Sequence, residues 1–139
     1  MGHCDRGAAA VEMALVMPLL ILMVMGIIDF GRIFNGEIQL SQAAREGARI
    51  AALGTPDYDV TAVTARTTAA LNNPAMQGGA ATILVDVVTV AGGTVTYNGV
   101  CAAADSTSNY GRVIVTIPYA KILFGPISLS QKAIMKCSG

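Results

Sequence analysis

The sequence predicts an α+β fold that combines a long N-terminal helix, a second short helix and a small antiparallel sheet of about four strands. Residues 8–28 form an apolar run, and residues 29–53 continue it with helical periodicity and without proline. From residue 80 onward, segments rich in Val, Ile and Thr alternate with glycine, asparagine or proline. With 139 residues and zero formal net charge, the chain has room for one modest domain and lacks the basic surface typical of nucleic-acid binding.

The apolar run has the length and composition of a membrane span. No residue from Met13 to Ile28 is charged, and with Ala8 to Val11 the run has about 21 positions, enough for a helix to cross roughly 30 Å. A cleaved secretory signal is the alternative, because Arg6 precedes the run. The run exceeds the usual signal core of about 7 to 15 residues, and no small-x-small cleavage pattern follows it, so an uncleaved anchor is favoured. Basic residues on both sides leave its orientation open.

Glu12 places a carboxylate inside this apolar run, which predicts that it has a partner. A charge in hydrocarbon costs about 2.5 to 3.5 kcal/mol even on insertion scales. If the chain is cut after Gly7, Ala8 gains a free α-amine, and the amine of a neighbouring helix shifted along the axis can pair with this carboxylate. Such a pair would specify the register between subunits. The alternative is an acid at the membrane rim whose side chain reaches the interface.

Residues 29–53 predict an amphipathic continuation of the same helix. Phe30, Phe34 and Ile38 lie four apart on one face. Small residues form two further rows, Ala43, Gly47 and Ala51 in one and Ala44, Ala48 and Ala52 in the other. These rows allow a close backbone contact, either with the protein's own sheet or with another molecule. Glycines at 31, 36 and 47 each weaken a helix by roughly 1 kcal/mol, which allows a local bend or break, and residues 54–56 supply the stop.

The remaining elements follow from caps and strand patterns. Asp57 or Asp59 is predicted to cap a helix over residues 60–71 with Val60, Val63 and Leu71 as its apolar stripe, since two aspartates are too few ligands for calcium. Four segments then predict strands of an antiparallel meander: residues 81–90, 93–102, 111–120 and 127–137. In the last segment, Ile127, Leu129, Ala133, Met135 and Cys137 share one parity, which predicts one face buried against the helices.

The sequence contains little catalytic chemistry. Its single histidine, His3, precedes the apolar run, and its three cysteines form no CxxC motif. We therefore predict no enzyme activity, metal, cofactor or small-molecule substrate. Cys101 and Cys137 are candidates for a disulfide in an oxidising compartment, whereas Cys4 would stay unpaired on the other side of the membrane. Two free buried thiols are the alternative to this bridge.

Residues 6–52 closely resemble the N-terminal domain of TadE-like proteins, the pseudopilins of the tight-adherence (Flp-type) pilus system. The specific parts are RGAAAVE at the start, Asp29 followed by FGR, and AAREGARIAA at the helix end. The resemblance implies a pilin-like, single-pass protein of the bacterial inner membrane. It divides the chain into a cytoplasmic leader (1–7), a transmembrane helix (8–28), an amphipathic continuation (29–53) and an extracytoplasmic α+β domain (54–139).

The same resemblance implies a role in pilus assembly, with other pilins, pilus assembly proteins and a prepilin peptidase as partners. It makes Gly7 the last leader residue, Ala8 the new N-terminus and Glu12 the residue that supports processing or assembly. Met13 departs from the aromatic residue often found after that glutamate, which puts cleavage in question. The competing hypothesis is an uncleaved, membrane-tethered binding module or scaffold, in which the helix only anchors.

Overall fold

The fold is α+β, seen in a computed structural model that describes residues 5–53, 59–71, 80–89, 95–97, 99–101, 109–119 and 125–138. The elements in chain order are α1 (Asp5–Ala52), α2 (Val60–Ala70), β1 (Thr82–Thr89), β2 (Val95–Tyr97), β3 (Asn109–Tyr119) and β4 (Ile127–Lys136). The predicted fold class is confirmed. Three strands are long, and β2 has only three residues.

The helix α1 is continuous over 48 residues, which corresponds to roughly 72 Å at about 1.5 Å per residue. Neither Pro18 nor the glycines interrupt it, so the break that the glycines allowed does not occur. Gly36 and Gly47 are buried, and packing at these positions offsets their weak helix propensity. The helix ends at Ala52, and the predicted stop at 54–56 lies outside the described residues.

The helix α2 begins where the sequence predicts. Asp59 is its N-cap, with Oδ1 accepting a hydrogen bond from the Ala62 amide at 2.8 Å. Asp57, the other candidate cap, lies outside the described residues. Val63 and Leu71 are buried as predicted, and so is Thr67, whose hydroxyl donates to the Val63 carbonyl at 2.7 Å. The face of α2 that meets α1 therefore includes a polar side chain, Thr67, whose hydroxyl is hydrogen-bonded within α2 itself.

The four strands form an antiparallel sheet in the order β2-β1-β3-β4, so the predicted meander is wrong. After β2 the chain returns to the far edge of β1, and β3 pairs with β1 along its whole length, from Thr82 opposite Thr116 to Thr89 opposite Asn109. The short β2 pairs with β1 only over Asp86 to Val88. The β1–β3 ladder joins eight residue pairs, whereas β2 has only three residues, so pairing with β1 gives β3 more cross-strand side-chain pairs than pairing with β2 could.

One face of the sheet carries the core. On β3, every second residue from Gly111 to Tyr119 is buried, and α1 packs across β3 and β4 while α2 packs beside α1 and over β1. Leu129 and Cys137 are buried at the same parity of the last strand, which confirms the predicted buried face. Met135 departs from the prediction, because 38 % of its side chain stays exposed at the edge strand.

Two glycines let α1 approach its neighbours closely. A Cβ added at Gly47 would collide with the Thr67 hydroxyl on α2 and lie 3.2 Å from Val113 Cγ1 on β3. A Cβ at Gly111 on β3 would lie 3.3 Å from the carbonyl carbon of Ala51. Because Gly47 and Gly111 have no Cβ, the second half of α1 can pack this closely against both α2 and the sheet.

Replacing Gly47 with Ala is expected to destabilise the domain by about 1 to 3 kcal/mol through overpacking, despite the better helix propensity of alanine. Urea unfolding of the detergent-solubilised chain, followed by tyrosine fluorescence, measures the change. Gly31→Ala is the matched control, since its Cβ meets no atom within 4 Å. Combining Gly47→Ala with Thr67→Ala should recover much of the loss, and equal stability of Gly47→Ala and Gly31→Ala would contradict the close packing.

A buried ion pair lies on the opposite face of the sheet. Asp86 on β1 is fully buried, and Arg112, directly opposite on β3, binds both of its carboxylate oxygens, with Nε donating to Oδ1 at 2.8 Å. The arginine side chain is 22 % exposed. Because the pair forms only in one register, it specifies how β1 and β3 align.

Arg112→Met is expected to cost about 3 to 5 kcal/mol of unfolding free energy, because it leaves a buried carboxylate without its main partner. The double variant Asp86→Val with Arg112→Met should lose much less, since it removes both charges. The exposed pair of Arg49 and Glu46, at 3.7 Å, is the control, and Arg49→Ala should change stability by less than about 1 kcal/mol. Similar losses for Arg112→Met and Arg49→Ala in the same urea assay would refute the role of the buried pair.

Candidate functional site

The first half of α1 leaves the folded domain as an exposed apolar helix. Every side chain from Gly7 to Met25 is exposed. Among the described residues, α1 is the one helix long and apolar enough to cross a bilayer, with a window of mean hydropathy 2.5 that is not buried at all. Such exposure in water would be unfavourable, so the helix is consistent with membrane anchoring.

Glu12 lies on the surface of this apolar helix. Its nearest neighbours along the surface are Ala9, Met13 and Val16, which together with it line a shallow groove. Within the described part of the chain, its carboxylate has no hydrogen bond or ion pair. In a bilayer this charge would have to reach the interface or be paired by a group from another molecule.

Gly7 and Ala8 lie in the first turns of α1, and both are exposed. A Cβ at Gly7 would meet no atom within 4 Å, so the backbone here is open. Ala8 lies four residues before Glu12 and therefore on the same face, about 6 Å away along the axis. A parallel neighbour shifted by one helical turn would bring its own position 8 level with this carboxylate.

The predicted row of small residues faces inward. Ala43 and Ala51 are fully buried, and Gly47 contacts α2 and β3. Of the two uses that the sequence left open for this row, the structure shows packing against the protein's own sheet and α2. Asp29 is also buried, with 4 % exposure, and lies in line with Gly36 and Leu40 on this domain-facing side of α1.

The opposite side of α1 carries an exposed apolar stripe that continues past residue 28. Phe30 and Phe34 are 63 % and 53 % exposed, with ring centroids 5.1 Å apart in an edge-to-face arrangement. The groove around them is lined by Met23, Gly26, Ile27, Phe30, Gly31 and Phe34. A more polar groove follows, lined by Phe34, Glu37, Ile38, Ser41, Gln42, Arg45 and, from β4, Gln131. An amphipathic pattern usually predicts packing on the core, but here the stripe points away from it.

Known proteins are similar to this chain over the same helix. Residues 7–49 match the TadE-like protein family. This agrees with the resemblance seen in the sequence. No curated protein and no solved structure matches the chain. The matched TadE-like segment includes Gly7, Ala8 and Glu12 and ends inside α1, before α2 and the sheet.

TadE-like proteins are a pilus-related structural family rather than an enzyme family. In the part of the chain that the structure describes, no three His, Cys, Asp or Glu side chains lie close enough together to hold a metal ion. The features that stand out are a long exposed helix, one carboxylate on its apolar surface and an apolar stripe. This arrangement is suited to contact with lipid and with other helices rather than to catalysis on a small molecule.

A disulfide lies where the TadE-like segment meets the sheet. The structure joins Cys101 and Cys137, with Cα atoms 5.7 Å apart and both side chains buried. The Cys101 amide donates to the Ala51 carbonyl at 2.9 Å, and the Ser138 amide donates to the Ala52 carbonyl, also at 2.9 Å. These bonds satisfy carbonyls at the C-terminal end of α1 that have no partner within the helix. Both cysteines were predicted as candidates for this bridge, but no sequence pattern indicated that the segments around them cap α1.

Removing the bridge with Cys101→Ala and Cys137→Ala is expected to lower the unfolding free energy by roughly 3 to 4 kcal/mol, as for a disulfide that closes a loop of this length; the two cysteines are 36 residues apart. Alkylation of the unfolded, unreduced protein should label Cys4 alone in a chain that keeps residues 1–7, and no cysteine in a chain that begins at Ala8. Labelling of Cys101 and Cys137 before reduction would refute the bridge in the native protein, and Cys4→Ser is the control that should leave stability unchanged.

Proposed function

We propose that this chain is a membrane-anchored pilin-like subunit, a TadE-like pseudopilin or minor pilin. It acts without catalysis in the assembly of a Flp-type (tight adherence) pilus or of a related secretion apparatus. The observation that carries the proposal is Glu12, a carboxylate on the apolar surface of the helix with no partner in the described part of the chain. The match over residues 7–49 supports it, since it covers this carboxylate and the helix around it.

The proposed work of Glu12 is to set the register between subunits. An ammonium group and a carboxylate are each costly in hydrocarbon, but together they form a pair that lipid tails cannot replace. Cleavage after Gly7 would create that ammonium group on Ala8. Apolar contacts alone draw helices together weakly in a bilayer, because lipid matches them nearly as well. A paired charge therefore provides both attraction and alignment.

The proposed location follows from the same division of the chain. Residues 1–7 form a cytoplasmic leader, residues 8–28 cross the bacterial inner membrane once, and the domain that begins after residue 53 is extracytoplasmic. An oxidising compartment suits the disulfide between Cys101 and Cys137. Other pilins, pilus assembly proteins and a prepilin peptidase are the proposed partners, with no role for nucleic acid or a small-molecule substrate.

Glu12→Ala and Glu12→Gln are expected to abolish or strongly reduce pilus formation while the domain stays folded, because both remove the charge that pairs with the neighbouring amine. Pili are counted on cells by electron microscopy, and folding is checked by protection of Cys101 and Cys137 from alkylation. Glu46→Ala is the matched control, an acid on the same helix outside the apolar run. Normal pilus numbers with Glu12→Gln would refute the proposed role and favour a tethered module that uses its helix only as an anchor.

Processing is tested separately by mass spectrometry of the protein purified from membranes. The expected mature chain begins at Ala8, and Gly7→Ala should leave the leader attached. A chain that still begins at Met1 in cells with normal pili would show that no α-amine is created at Ala8 and would remove the charge pair from the proposal.

A further inference from the structure

The strand β4 has a free edge in the described part of the chain. It is the last strand in the order β2-β1-β3-β4 and pairs only with β3. The Cys137 amide donates to the Asn109 carbonyl, and the bonding direction alternates from residue to residue along an antiparallel ladder. The backbone N–H and C=O groups that point away from β3 therefore belong to the even-numbered residues, all of them exposed: Ser128, Ser130, Lys132, Ile134 and Lys136.

The layer of side chains between α1 and the sheet is incomplete at this edge. On β3 every second residue from Gly111 to Tyr119 faces α1 and is buried. On the same face of β4, Gln131 and Ala133 are only half-buried, and Met135 is 38 % exposed. Beyond Gln131, a groove of about 340 Å³ separates β4 from the surface of α1 around Ile38. A further strand would cover these side chains while its backbone paired with the free edge.

We propose that β4 binds an extended segment of a partner protein by strand addition, and that this segment carries acidic side chains opposite Lys132 and Lys136. Both lysines project from the face of the sheet that points away from α1. In the described part of the chain, neither lysine forms an ion pair. Asp86, an acid on the same face, is already bound by Arg112. Opposite charges on directly facing residues stabilise a strand pair, so the edge selects an acidic partner.

The same lysines disfavour a second copy of this chain as the occupant. Two β4 strands paired edge to edge in the antiparallel direction would place Lys132 and Lys136 of both copies on one face, which destabilises the pair. A segment with acids four residues apart on one face and apolar residues on the other matches both sides of the edge. Its acids meet the lysines, and its apolar side chains meet the exposed surfaces of Met135 and Ile38. Neither Glu12 nor the apolar run takes part in this surface, so strand addition does not depend on the proposed role in assembly.

The test uses the full-length chain in detergent micelles and a synthetic peptide of the same length as β4. The peptide carries two glutamates four residues apart, threonines at the other positions of that face and valines on the opposite face. NMR follows amide hydrogen exchange residue by residue. The even-numbered amides of β4 should exchange about tenfold more slowly when nine-tenths of the protein is bound, whereas the odd-numbered amides are already bonded to β3. Unchanged exchange of the even-numbered amides at millimolar peptide would overturn the proposal.

A proline variant tests whether the backbone edge itself binds the peptide. Ser130→Pro removes an outward-pointing N–H without removing a bond to β3, and edge strands tolerate proline at such positions. It should weaken peptide binding at least tenfold. Ser130→Ala is the matched control, since it keeps the amide and loses only the hydroxyl that lies 3.0 Å from that of Thr116. Continued protection of the odd-numbered amides shows that both variants are folded, and undiminished binding by Ser130→Pro would show that the peptide binds elsewhere and overturn the proposal.

Charge reversal tests the chemistry of the partner without any change to the backbone. The double variant Lys132→Glu with Lys136→Glu should bind the glutamate peptide about three- to tenfold more weakly. It should bind a matching peptide with lysines in place of the glutamates more tightly than the natural chain does. Equal affinity of the natural chain for the two peptides would overturn the choice of an acidic partner. Protection of the even-numbered amides that rises with protein concentration, without peptide, would identify a second copy as the occupant and also overturn the proposal.

Discussion

The close contact of α1 with the sheet and α2 is the constraint on which the rest of the structure depends. Gly47 has no side chain where Thr67 and Val113 approach, and Gly111 has none where α1 ends. Because the second half of the helix is held at such short range, its orientation relative to the sheet is defined. The first half continues the same helix without a break, so α1 both contributes to the core and carries an exposed surface.

The two ends of the packed part of α1 differ in their contacts with the rest of the protein. At the C-terminal end, the carbonyls of Ala51 and Ala52 accept hydrogen bonds from the segments that carry the disulfide, so helix and sheet are tied by backbone bonds as well as side chains. Toward the N-terminus, Asp29 is still buried, whereas the side chains from Gly7 to Met25 are all exposed to the surroundings of the protein. An apolar surface in this position is stable in lipid or against another helix.

Two carboxylates, those of Asp86 and Glu12, lie in different surroundings. Asp86 is buried without access to water, and Arg112 neutralises it within the chain. Glu12 lies on an apolar surface, and the described part of the chain provides no such neighbour. The pair of Asp86 and Arg112 aligns two strands within the chain. The carboxylate of Glu12 is instead available to a group on another molecule. This difference, rather than any catalytic cluster, is what directs the proposed function toward assembly.

The sequence by itself determined the length and apolar character of α1, the presence of an aspartate cap at the start of α2, the approximate positions of the strands and the carboxylate of Glu12 within the apolar run. These depend on local periodicity, caps and composition, which neighbouring residues carry. Tertiary structure alone decided that β3 pairs with β1, that Asp86 meets Arg112 and that the small residues face inward while Phe30 and its stripe stay exposed. These outcomes depend on contacts between residues far apart in the chain, where the total burial of all elements selects one arrangement from several that local patterns allow.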